Sequence, residues 1–472
     1  MKNAVKVTTM NIFLTRPEKD NLVKWTYSVK DESITTEILT PLWEYLVRLV
    51  PPIVAPNVLT LCGFLAVLYA HHLCYNYLEI YPNLIAIVTC VLTFIYMNLD
   101  AMDGKHARRT RNSTPLGELF DHACDNVGLV FMTQSLCMIL GIDTYLQWYI
   151  VQIAQFAFLN SHLDAMKSDQ MYFGRYTGPG EILFAYMGLI LGHVFIGHGW
   201  IVHYFGSLLS GLVVASYYAA FLFTMAKIFL TMYKFYATQN GLFISLTLRF
   251  VPSIMMYAGM MGNEVSHFDV ICHGLIMSIL TGDIIVAKMA KRDLHPLVPV
   301  MVMISLFNNF FCVALCIGYY VIMLTEIAHY LRISIFAVKQ NVYCNGVFDL
   351  THAGHMELFD FAAKHGNRVI VGVHSDEDVA SYKRTPTMSH SERCDTVRKC
   401  RYVDEVIENA PLITDEDFIK RNDIHVVVCS SEYDTPDDKY YDVPRKMGIL
   451  VVKPRSEGIS TTDIRKRLQS GS

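Results

Sequence analysis

The sequence has few charged residues for its length. Only 17% of its 472 residues are charged, whereas 53% are hydrophobic. This balance is too apolar for a water-soluble protein of that size, so we expect much of the chain to lie in lipid. Long apolar stretches recur from about 53 to 328, and charged residues return every few positions from 341 to 472. The sequence therefore predicts a membrane domain followed by a water-soluble domain.

Several other features are missing. The first 21 residues lack the apolar core and the small-residue cleavage site of a secretory signal, so we expect a cytosolic soluble domain. The 12 cysteines show no paired C-x-x-C spacing, which argues against a zinc site and a disulfide framework. A net charge of −4 with dispersed basic residues argues against nucleic acid as a partner. Internal repeats and low-complexity tracts are not found.

The apolar segments suggest how the chain is organised. We predict an N-terminal cytosolic segment over 1–40, a membrane domain over 41–330 and a soluble domain over 338–472. The segment PLWEYLVRLVPP suits a helix lying along the membrane surface. About ten segments approach the length needed to cross a bilayer, at 58–75, 83–99, 126–142, 147–161, 181–198, 201–219, 220–236, 242–261, 267–289 and 297–325. The last is long enough to be either one tilted helix or two.

Four carboxylates follow the second apolar segment. Asp100 and Asp103 are three residues apart and Asp121 and Asp125 four apart, so each pair projects from one face of a helix. Carboxylates at membrane level repel one another unless cations neutralise them, and oxygen ligands favour magnesium, manganese or calcium over zinc. For any single aspartate, a helix-capping role in a solvated loop is the better interpretation. The four together predict a divalent-metal site.

Glycine and arginine accompany these aspartates. Gly104 and Gly117 remove side chains where a bulky nucleotide must approach the backbone, and Arg108 offers a fixed fork of donors for a phosphate. A metal site, two glycines and an arginine together predict a pocket for a pyrophosphate.

The whole pattern, D-x2-D-G-x2-A-R-x8-G-x3-D-x3-D over 100–125, resembles the signature of the CDP-alcohol phosphatidyltransferase family at all eight positions. The segments WEYLVRLVPPIVAPNVLT, STPLGELFDHACD and GDIIVAKM resemble eukaryotic choline/ethanolamine phosphotransferases over about 40–335. The resemblance implies an all-α polytopic membrane domain in which the four aspartates hold two Mg²⁺ or Mn²⁺ ions. It also implies that the CDP-alcohol pocket is shaped by Asn57, Gly104, Ala107, Arg108 and Gly117.

His122 is the candidate general base in that reading. Diacylglycerol's hydroxyl must lose a proton as it attacks the β-phosphorus, and a histidine beside a metal-binding aspartate is well placed to accept it. The alternative makes Asp125 the base and leaves His122 a structural role. His162 and Glu181 either line the pocket or lie at the membrane interface, with the second reading preferred for both.

The soluble part begins with NVYCNGVFDLTHAGH, which predicts a strand, a turn and a helix. The apolar runs RVIVGVHSD, IHVVVCSS and GILVVKPR then alternate with helical stretches, as in a doubly wound parallel sheet. We therefore predict an α/β Rossmann-like nucleotidyltransferase domain. His352 and His355 stand at the helix start, where imidazoles and free N–H groups can meet phosphates. Taken alone, the two histidines could equally be a metal pair or helix caps.

HAGH after GVFD, together with SERCDTVRKCRYVDEV and PRSEGISTTDI, resembles the cholinephosphate/ethanolaminephosphate cytidylyltransferases over about 341–467. The resemblance implies that His352 and His355 stabilise the α-phosphate of CTP while pyrophosphate is displaced. It implies further that Lys383 and Arg393 hold the anionic substrates, that Mg²⁺ accompanies CTP, and that the nucleotide site includes Gly346, Asp349, Arg455, Ser460, Thr461 and Thr462.

One motif departs from the choline enzymes. They carry a His-Asp-Asp-like triplet after the fourth strand, whereas this chain has Cys429-Ser430-Ser431 and so lacks an expected carboxylate for the cationic head group. A nearby acid could replace it, namely Glu432, Asp434, Asp437 or Asp438. The following YYDVPRKMG is closer to the ethanolamine enzymes, so ethanolamine is weakly favoured over choline.

The expected function is therefore bifunctional phospholipid synthesis, with CTP, phosphoethanolamine or phosphocholine, and diacylglycerol as substrates. About a dozen residues separate the last apolar segment from Asn341, a reach of at most ~40 Å, so both active sites should face the cytosol, at the endoplasmic reticulum or Golgi. A homodimer is compatible with the sequence. Two alternatives stay open: a C-terminal domain that only senses nucleotide, and a membrane domain that serves another alcohol.

Overall fold

The structure is a computed structural model, and its chain forms two compact units, the first ending at Ala337 and the second beginning at Val338. We describe each unit by itself. Side chains at 200, 201, 205, 207, 231–235, 462, 463, 468 and 469 are not described. The described residues are 11–26, 28–168, 170–197, 200–235, 240–258, 265–331, 333–338, 340–382, 384–433, 435, 438–454 and 461–470.

The first unit is helical, apart from two short parallel strands, β1 (Val29–Asp31) and β2 (Met171–Phe173). Its helices are α1 (Arg16–Val23), α2 (Ile34–Leu49), α3 (Pro56–Tyr77), α4 (Pro82–Arg109), α5 (Pro115–Ile139), α6 (Thr144–Ser168), α7 (Pro179–Ile196), α8 (Trp200–Phe235), α9 (Asn240–Tyr257), α10 (His267–Ala290), α11 (Leu297–Ser305) and α12 (Asn309–Leu331).

Proline begins several of these helices. Pro56, Pro82, Pro115 and Pro179 open α3, α4, α5 and α7, where the ring's fixed φ suits the first turn and its missing N–H costs no hydrogen bond. At the start of α5 the hydroxyl of Thr114 also accepts a hydrogen bond from the backbone N–H of Gly117, at 3.0 Å. These signals fix where α5 begins, and therefore where its acidic residues stand.

The prediction of about ten membrane spans is not confirmed. Within the described residues, six helices are long and apolar enough to cross a membrane: Pro56–Tyr77, Pro82–Arg109, Pro179–Ile196, Leu208–Leu230, His267–Ala290 and Asn309–Leu331. Helices α5 and α6 are of sufficient length, but buried polar side chains such as Asn126 and Gln155 lower their hydropathy. The prediction of a multi-pass helical membrane unit is confirmed.

One boundary between the predicted spans was wrong. The segments 201–219 and 220–235 belong to one helix, α8, which is kinked at Gly206 with a φ of 38°. The segment 297–325, predicted as either one helix or two, is divided between α11 and α12, with Leu306–Asn308 between them. Hydropathy does not show where a span ends between 201 and 235, because apolar residues continue on both sides of 219.

Helix α10 lies at the centre of the first unit and packs against α5, α6 and α12. Almost all of its residues are buried, and two glycines permit close approach. A Cβ on Gly274 would lie 2.7 Å from Cγ1 of Val130, and one on Gly282 would lie 2.7 Å from the hydroxyl of Tyr320. Because α10 packs directly on α5, it supports the helix that carries half of the acidic residues.

The N-terminal segment belongs to the first unit rather than standing apart from it. The carboxylate of Glu326 on α12 accepts hydrogen bonds from the backbone N–H groups of Phe13 and Leu14, at 3.1 and 3.2 Å. It also forms an ion pair of 2.9 Å with Lys19, and both charged side chains are buried. Such a buried pair is favourable only when further hydrogen bonds satisfy it, as these backbone donors do.

The second unit is a five-stranded sheet of parallel strands, ordered β5-β4-β3-β6-β7. This confirms the predicted Rossmann-like α/β fold. Its strands are β3 (Asn341–Gly346), β4 (Arg368–Val373), β5 (Glu405–Glu408), β6 (Val426–Ser430) and β7 (Leu450–Lys453), and its helices are α13 (Ala353–Ala363), α14 (Asp376–Tyr382), α15 (His390–Arg398), α16 (Glu416–Arg421), α17 (Asp442–Lys446) and α18 (Thr461–Ser470), with a 3-10 turn at Ser431–Tyr433.

The strand order reverses at β3. The chain builds outward from β3 through β4 to β5, and then returns to pair β6 on the other side of β3. In open α/β sheets, ligands bind outside the carboxyl ends of the strands at this reversal. The loops that follow Gly346 and Ser430 are therefore the expected walls of a site.

Gly372 on β4 provides a test of packing in the second unit. A Cβ there would lie 2.7 Å from the Cβ of Ala410 and would collide with the hydroxyl of Tyr343. We expect Gly372→Ala to destabilise this unit by about 1–3 kcal/mol, because the added methyl overpacks a close contact. Thermal unfolding of the full chain measures the change in stability. Limited proteolysis with fragment mapping shows which unit is affected.

The matched control is Gly318→Ala on α12, where a Cβ would meet nothing within 4 Å. It should leave the proteolysis of the second unit unchanged. Equal resistance of the Gly372→Ala chain and the unaltered chain would contradict the packing described here.

Candidate functional site

Helices α4 and α5 bring the four predicted aspartates together. Oxygens of Asp100, Asp103 and Asp121 lie within 4.8 Å of one another, and ligand atoms of Asp121, His122 and Asp125 do the same. Asp121 belongs to both groups, so the two groups share one carboxylate. These groups can hold a divalent metal.

Neighbouring hydroxyl groups orient two of these carboxylates. The hydroxyl of Thr60 on α3 donates a hydrogen bond to Oδ2 of Asp103. The hydroxyl of Tyr96 donates to Oδ1 of Asp125 at 2.7 Å. Oδ1 of Asp121 is buried without a hydrogen-bond partner among the described residues. A buried carboxylate oxygen of this kind requires an explanation, and a bound cation supplies one.

A cavity of about 380 Å³ opens beside these carboxylates. It brings together all five residues predicted to shape the CDP-alcohol pocket, with two of the aspartates and the candidate base. Its remaining lining comes from the N-terminal segment, the start of α3 and the turn before α5. The lining residues are Trp25, Thr26, Pro56, Asn57, Thr60, Asp103, Gly104, Ala107, Arg108, Asn112, Ser113, Thr114, Pro115, Gly117, Glu118, Asp121 and His122.

The two glycines of the cavity differ in how close an added Cβ would come to other atoms of the protein. A Cβ on Gly117 would lie 3.3 Å from Oδ1 of Asn57, tighter than most real contacts, so this position is constrained by the protein itself. A Cβ on Gly104 would lie 3.5 Å from the Arg108 guanidinium, an ordinary contact. The protein's own packing therefore does not demand glycine at 104, and the space there is open to a ligand.

Asn57 holds the wall of the cavity through its amide. Its Nδ2 donates a hydrogen bond of 2.9 Å to the backbone oxygen of Ile335, in the segment that follows α12. Next in that segment, Phe336 packs edge-on against Phe120 of α5, with ring centroids 5.5 Å apart. The end of the first unit is therefore fastened beside the cavity.

His122 lies at the cavity wall between two groups. Its Nδ1 is 4.0 Å from Oδ2 of Asp125, and its ring packs edge-on against His162 with centroids 5.1 Å apart. His162 is buried against Phe158 and does not line the cavity. Glu181 accepts the backbone N–H of Thr35 at 2.7 Å, near the start of α2, which is a structural contact.

Sequence reasoning missed four residues of this site. Thr60 and Tyr96 bind the aspartates, and Trp25 and Glu118 line the cavity. Thr60 follows Asn57 by three residues on α3, a helical spacing that could have signalled a shared face. The contact between Trp25 and Glu118 spans 93 residues, and no local pattern indicates it.

The second unit places a strained loop after β3. Phe348 and Leu350 have φ values of 54° and 44°, a left-handed conformation that costs non-glycine residues of order 1–3 kcal/mol each. Between them, the buried carboxylate of Asp349 accepts hydrogen bonds from the backbone N–H groups of Thr387 and Met388, both at 2.9 Å. Asp349 thus shapes the loop, and the strain concentrates at the predicted nucleotide site.

His352 and His355 form a reciprocal cap at the start of α13. Nδ1 of His352 accepts the backbone N–H of Gly354 at 3.2 Å, and Nδ1 of His355 accepts that of His352 at 3.4 Å. Each Nδ1 is thereby an acceptor, so the proton of each neutral ring is on Nε2. Burial lowers the pKa of His352, and the rings stack with centroids 3.9 Å apart, so a double positive charge is disfavoured. The pair presents N–H donors.

Thr461 joins this group from the start of α18. Its hydroxyl donates to the backbone oxygen of Asp349 at 3.1 Å and lies 3.4 Å from Nε2 of His352. The predicted residues Gly346, Asp349, His352, His355 and Thr461 therefore surround one loop. Lys383, Arg455 and Ser460 lie outside the described residues, as does the side chain of Thr462.

Arg393 lies buried beside the ends of β3 and β4. Its side chain is fully buried, and its guanidinium donates to the backbone oxygens of Val347 and His374 and to Oδ1 of Asp376. Nη1 and Nη2 are thus engaged inside the unit, whereas Nε is buried without a partner among the described residues, and a direct contact of Arg393 with an anionic substrate stays a prediction. The guanidinium fixes the ends of β3 and β4, and thereby positions the loop.

A second cavity, of about 50 Å³, lies where β3 and β6 end. Four tyrosines contribute to it, and the rings of Tyr382 and Tyr440 lie 6.2 Å apart, those of Tyr433 and Tyr441 6.3 Å. Neither Glu432 nor Asp438 lines it, and Asp434 and Asp437 lie outside the described residues. The lining is completed by Asn345, Gly346, Val347, His374 and Leu412.

Several known proteins are similar in sequence to part of this chain. Cholinephosphotransferase 1 of Gallus gallus is 36% identical over 177 residues, 36% of this chain and 52% of that protein. Cholinephosphotransferase 1 of Danio rerio is 27% identical over 57% of this chain and 76% of its own length. Ethanolaminephosphotransferase 1 of Pongo abelii is 34% identical over 29% of this chain and 39% of that protein. The chain thus spans about half the length of the chicken protein.

Two family models match separate parts of the chain. Residues 53–212 match the CDP-alcohol phosphatidyltransferase model, which includes all four aspartates and His122. Residues 343–467 match the cytidylyltransferase-like model, which includes the two stacked histidines and the tyrosine cavity. The chain therefore joins a CDP-alcohol phosphatidyltransferase domain and a cytidylyltransferase-like domain in one polypeptide.

Proposed function

We propose that this protein carries out two consecutive steps of phospholipid synthesis. The second unit joins CTP to phosphoethanolamine or phosphocholine and releases pyrophosphate. The first unit transfers the phospho-alcohol from the resulting CDP-alcohol to diacylglycerol and releases CMP. The observation that carries the proposal is the convergence of four aspartates, one with an unpartnered buried oxygen, beside a 380 Å³ cavity.

The four aspartates suit a pair of Mg²⁺ or Mn²⁺ ions, because both cations favour carboxylate oxygens. Bound there, the ions would neutralise the pyrophosphate and stabilise charge on the leaving CMP. The chain's own groups do the rest. Arg108 binds a phosphate, Gly104 leaves space for the nucleotide, and the Thr60 and Tyr96 hydroxyls hold Asp103 and Asp125 in orientation.

The transfer step needs a base for the acceptor hydroxyl. The diacylglycerol oxygen forms a bond to the β-phosphorus while the bond from that phosphorus to the bridging oxygen breaks, and CMP leaves with that oxygen. We assign the released proton to His122, which lines the cavity 4.0 Å from Asp125. Asp125 is the alternative, but its Oδ1 already accepts a hydrogen bond from Tyr96, which favours His122.

The cytidylyl step needs donors for phosphate rather than a nucleophilic side chain, since the phosphomonoester substrate itself attacks the α-phosphorus of CTP. The Nε2–H groups of His352 and His355 and the N-terminus of α13 supply such donors. Thr461 adds a hydroxyl from α18. Lys383, Arg455, Ser460 and Thr462 stay predictions for this site, as does Mg²⁺ bound with CTP.

The tyrosine cavity supports an amino alcohol as the substrate. Aromatic faces attract ammonium groups, and burial raises the pKa of Tyr382 to about 12, so its ring stays neutral. This cavity touches Gly346, where the nucleotide loop begins. We keep ethanolamine as the preferred head group, because the segment after Ser431 is closer to the ethanolamine enzymes. Both sites are proposed to face the cytosol, at the endoplasmic reticulum or Golgi, and a homodimer stays a prediction.

A nucleotide-sensing second unit is the alternative. It is favoured by one observation: no carboxylate lines the tyrosine cavity among the residues that the structure describes. Incubating the purified chain with CTP and either phosphoethanolamine or phosphocholine separates the two proposals. The appearance of CDP-alcohol and pyrophosphate supports catalysis, and tight CTP binding without product supports sensing.

Metal binding gives the first test of the membrane unit. We expect Asp121→Asn to weaken Mn²⁺ binding by more than the ~10–100-fold typical of losing an outer-sphere partner, because Asp121 belongs to both ligand groups. Tyr96→Phe, which removes the hydroxyl that binds Asp125, should weaken Mn²⁺ binding by ~10–100-fold. Electron paramagnetic resonance of free Mn²⁺ measures both. Asp143→Asn, an exposed carboxylate at the start of α6, is the control. Similar affinities in all three variants would refute the metal site.

Separate substitutions should separate the two activities. We expect Asp103→Asn to abolish lipid formation from supplied CDP-ethanolamine, while CDP-ethanolamine synthesis from CTP continues. His355→Ala should do the reverse, with a loss of ~10²–10³-fold typical of removing a donor to a developing charge. Radiolabelled phosphoethanolamine, followed into CDP-ethanolamine and into lipid, measures both steps. Loss of both activities in either variant would contradict two independent sites.

The base assignment predicts a change in turnover rather than in binding. We expect His122→Ala to lower the turnover of phospho-alcohol transfer by ~10²–10⁴-fold and to leave the KM for CDP-ethanolamine nearly unchanged. His162→Ala, which removes the neighbouring imidazole that does not line the cavity, should have a much smaller effect. Near-normal turnover of His122→Ala would transfer the role of base to Asp125.

A further inference from the structure

One acidic residue of the first unit's cavity is not explained by metal binding. Glu118 lines the cavity together with Asp103 and Asp121, but it belongs to neither metal-binding group. The cavity is proposed to receive a pyrophosphate, which is itself negative. A third carboxylate at its wall is unfavourable for such a ligand. Lys288 and, when protonated, His122 offset part of this charge, and a positive group of the ligand beside Glu118 would offset more of it.

The surroundings of Glu118 are those of a cation-binding corner. The indole N–H of Trp25 donates a hydrogen bond of 2.6 Å to Oε2 of Glu118, and both side chains line the cavity. The Nζ of Lys288, from α10, lies 5.0 Å from the centroid of the same indole. An aromatic face and a carboxylate side by side are what an ammonium group binds best, and here an ammonium of the protein already lies against the ring.

We propose that Glu118 and Trp25 form the subsite that binds the ammonium group of the CDP-amino alcohol in the membrane unit. This inference rests on the proposed function and deepens it, since it assigns recognition of the head group to named residues. Oε2 is held by the indole N–H, so the carboxylate is fixed in place before a ligand enters. A fixed acceptor favours a charged donor at little cost in ordering.

The two amino alcohols should depend on this subsite differently. The ammonium of ethanolamine has three N–H donors, whereas the quaternary ammonium of choline has none. A CDP-ethanolamine head group therefore gains charge-assisted hydrogen bonds from Glu118. A CDP-choline head group is limited to charge attraction and to contact with the indole face. Glu118 is thus a specificity-determining residue for the transfer step.

The test compares CDP-ethanolamine with CDP-propanol, in which a methyl group replaces the ammonium. In the unaltered chain we expect kcat/KM for lipid formation to favour CDP-ethanolamine. Glu118→Gln should lower this preference by about tenfold to a hundredfold, as expected for a hydrogen bond to a charged group. CDP-choline should lose less. The control Glu44→Gln, an exposed carboxylate on α2, should leave the preference unchanged.

Inhibition by CMP distinguishes the head group from the base as the occupant of this corner. CMP carries no ammonium, so its inhibition constant should stay the same in Glu118→Gln. An unchanged preference for CDP-ethanolamine overturns the proposal, and so does a CMP inhibition constant that rises with the loss of preference, since that result assigns the corner to cytosine. An unaltered chain that forms no lipid from any CDP-amino alcohol refutes the proposed function instead.

Retained Mn²⁺ binding shows that the Glu118→Gln chain is folded. If that variant loses Mn²⁺ binding, Glu118→Asp decides the question, because it keeps the charge and withdraws it by one methylene. The preference for CDP-ethanolamine should then fall without disappearing. A preference equal to that of the unaltered chain would overturn the subsite.

Discussion

The repulsion among four carboxylates governs the first unit. At 4 Å, two like charges repel by about 4 kcal/mol in the effective dielectric of a protein surface, and by more in a buried setting. Asp100, Asp103 and Asp121 nevertheless have oxygens within 4.8 Å of one another. Helices α4 and α5 can hold them there only if cations or bound protons offset the negative charge, and bound cations are what the proposed chemistry of this unit requires. Thr60 on α3 and the capped start of α5 serve to keep that arrangement.

Sequence reasoning succeeded where the relevant information was local. Spacings of three and four residues placed each aspartate pair on one helix face, and alternating apolar runs predicted the parallel sheet of the second unit. Residues that meet across long stretches of chain could not be found this way. Trp25 and Glu118 are 93 positions apart, and Thr60 and Asp103 are 43 apart, so neither periodicity nor a motif links them.

Arg393 shows a different limit. A motif identifies a residue that matters but not the direction in which its side chain points. Here the guanidinium turns inward to the carbonyl oxygens of Val347 and His374, which leave it fully buried. The membrane spans show a third limit, since hydropathy describes an average over a segment. It did not reveal that 201–219 and 220–235 belong to one helix, or that polar residues on α5 and α6 face the interior of the unit.

Both units are proposed to bind phosphate groups, and they use different chemical groups to do so. The first gathers carboxylates that can hold cations, whereas the second offers imidazole and backbone N–H groups at the start of α13. In our proposal each also places aromatic rings beside the phosphate site, an indole in the first and tyrosines in the second. One amino alcohol would then be recognised twice, on unrelated folds, by the same physical attraction between a cation and an aromatic face.

The bonds of Glu326 have a consequence for how the protein is made. Glu326, which accepts hydrogen bonds from Phe13 and Leu14, follows them by 313 and 312 positions, so it leaves the ribosome long after they do. Phe13 and Leu14 therefore lack these bonds until α12 has been synthesised, whereas Trp25, in the same segment, can reach Glu118 earlier. Contacts of such sequence separation form late, because the intervening chain must be ordered first. The helices that carry the four aspartates are thus synthesised long before Glu326 can fasten the start of the N-terminal segment, and a chain that stops before α12 lacks that fastening.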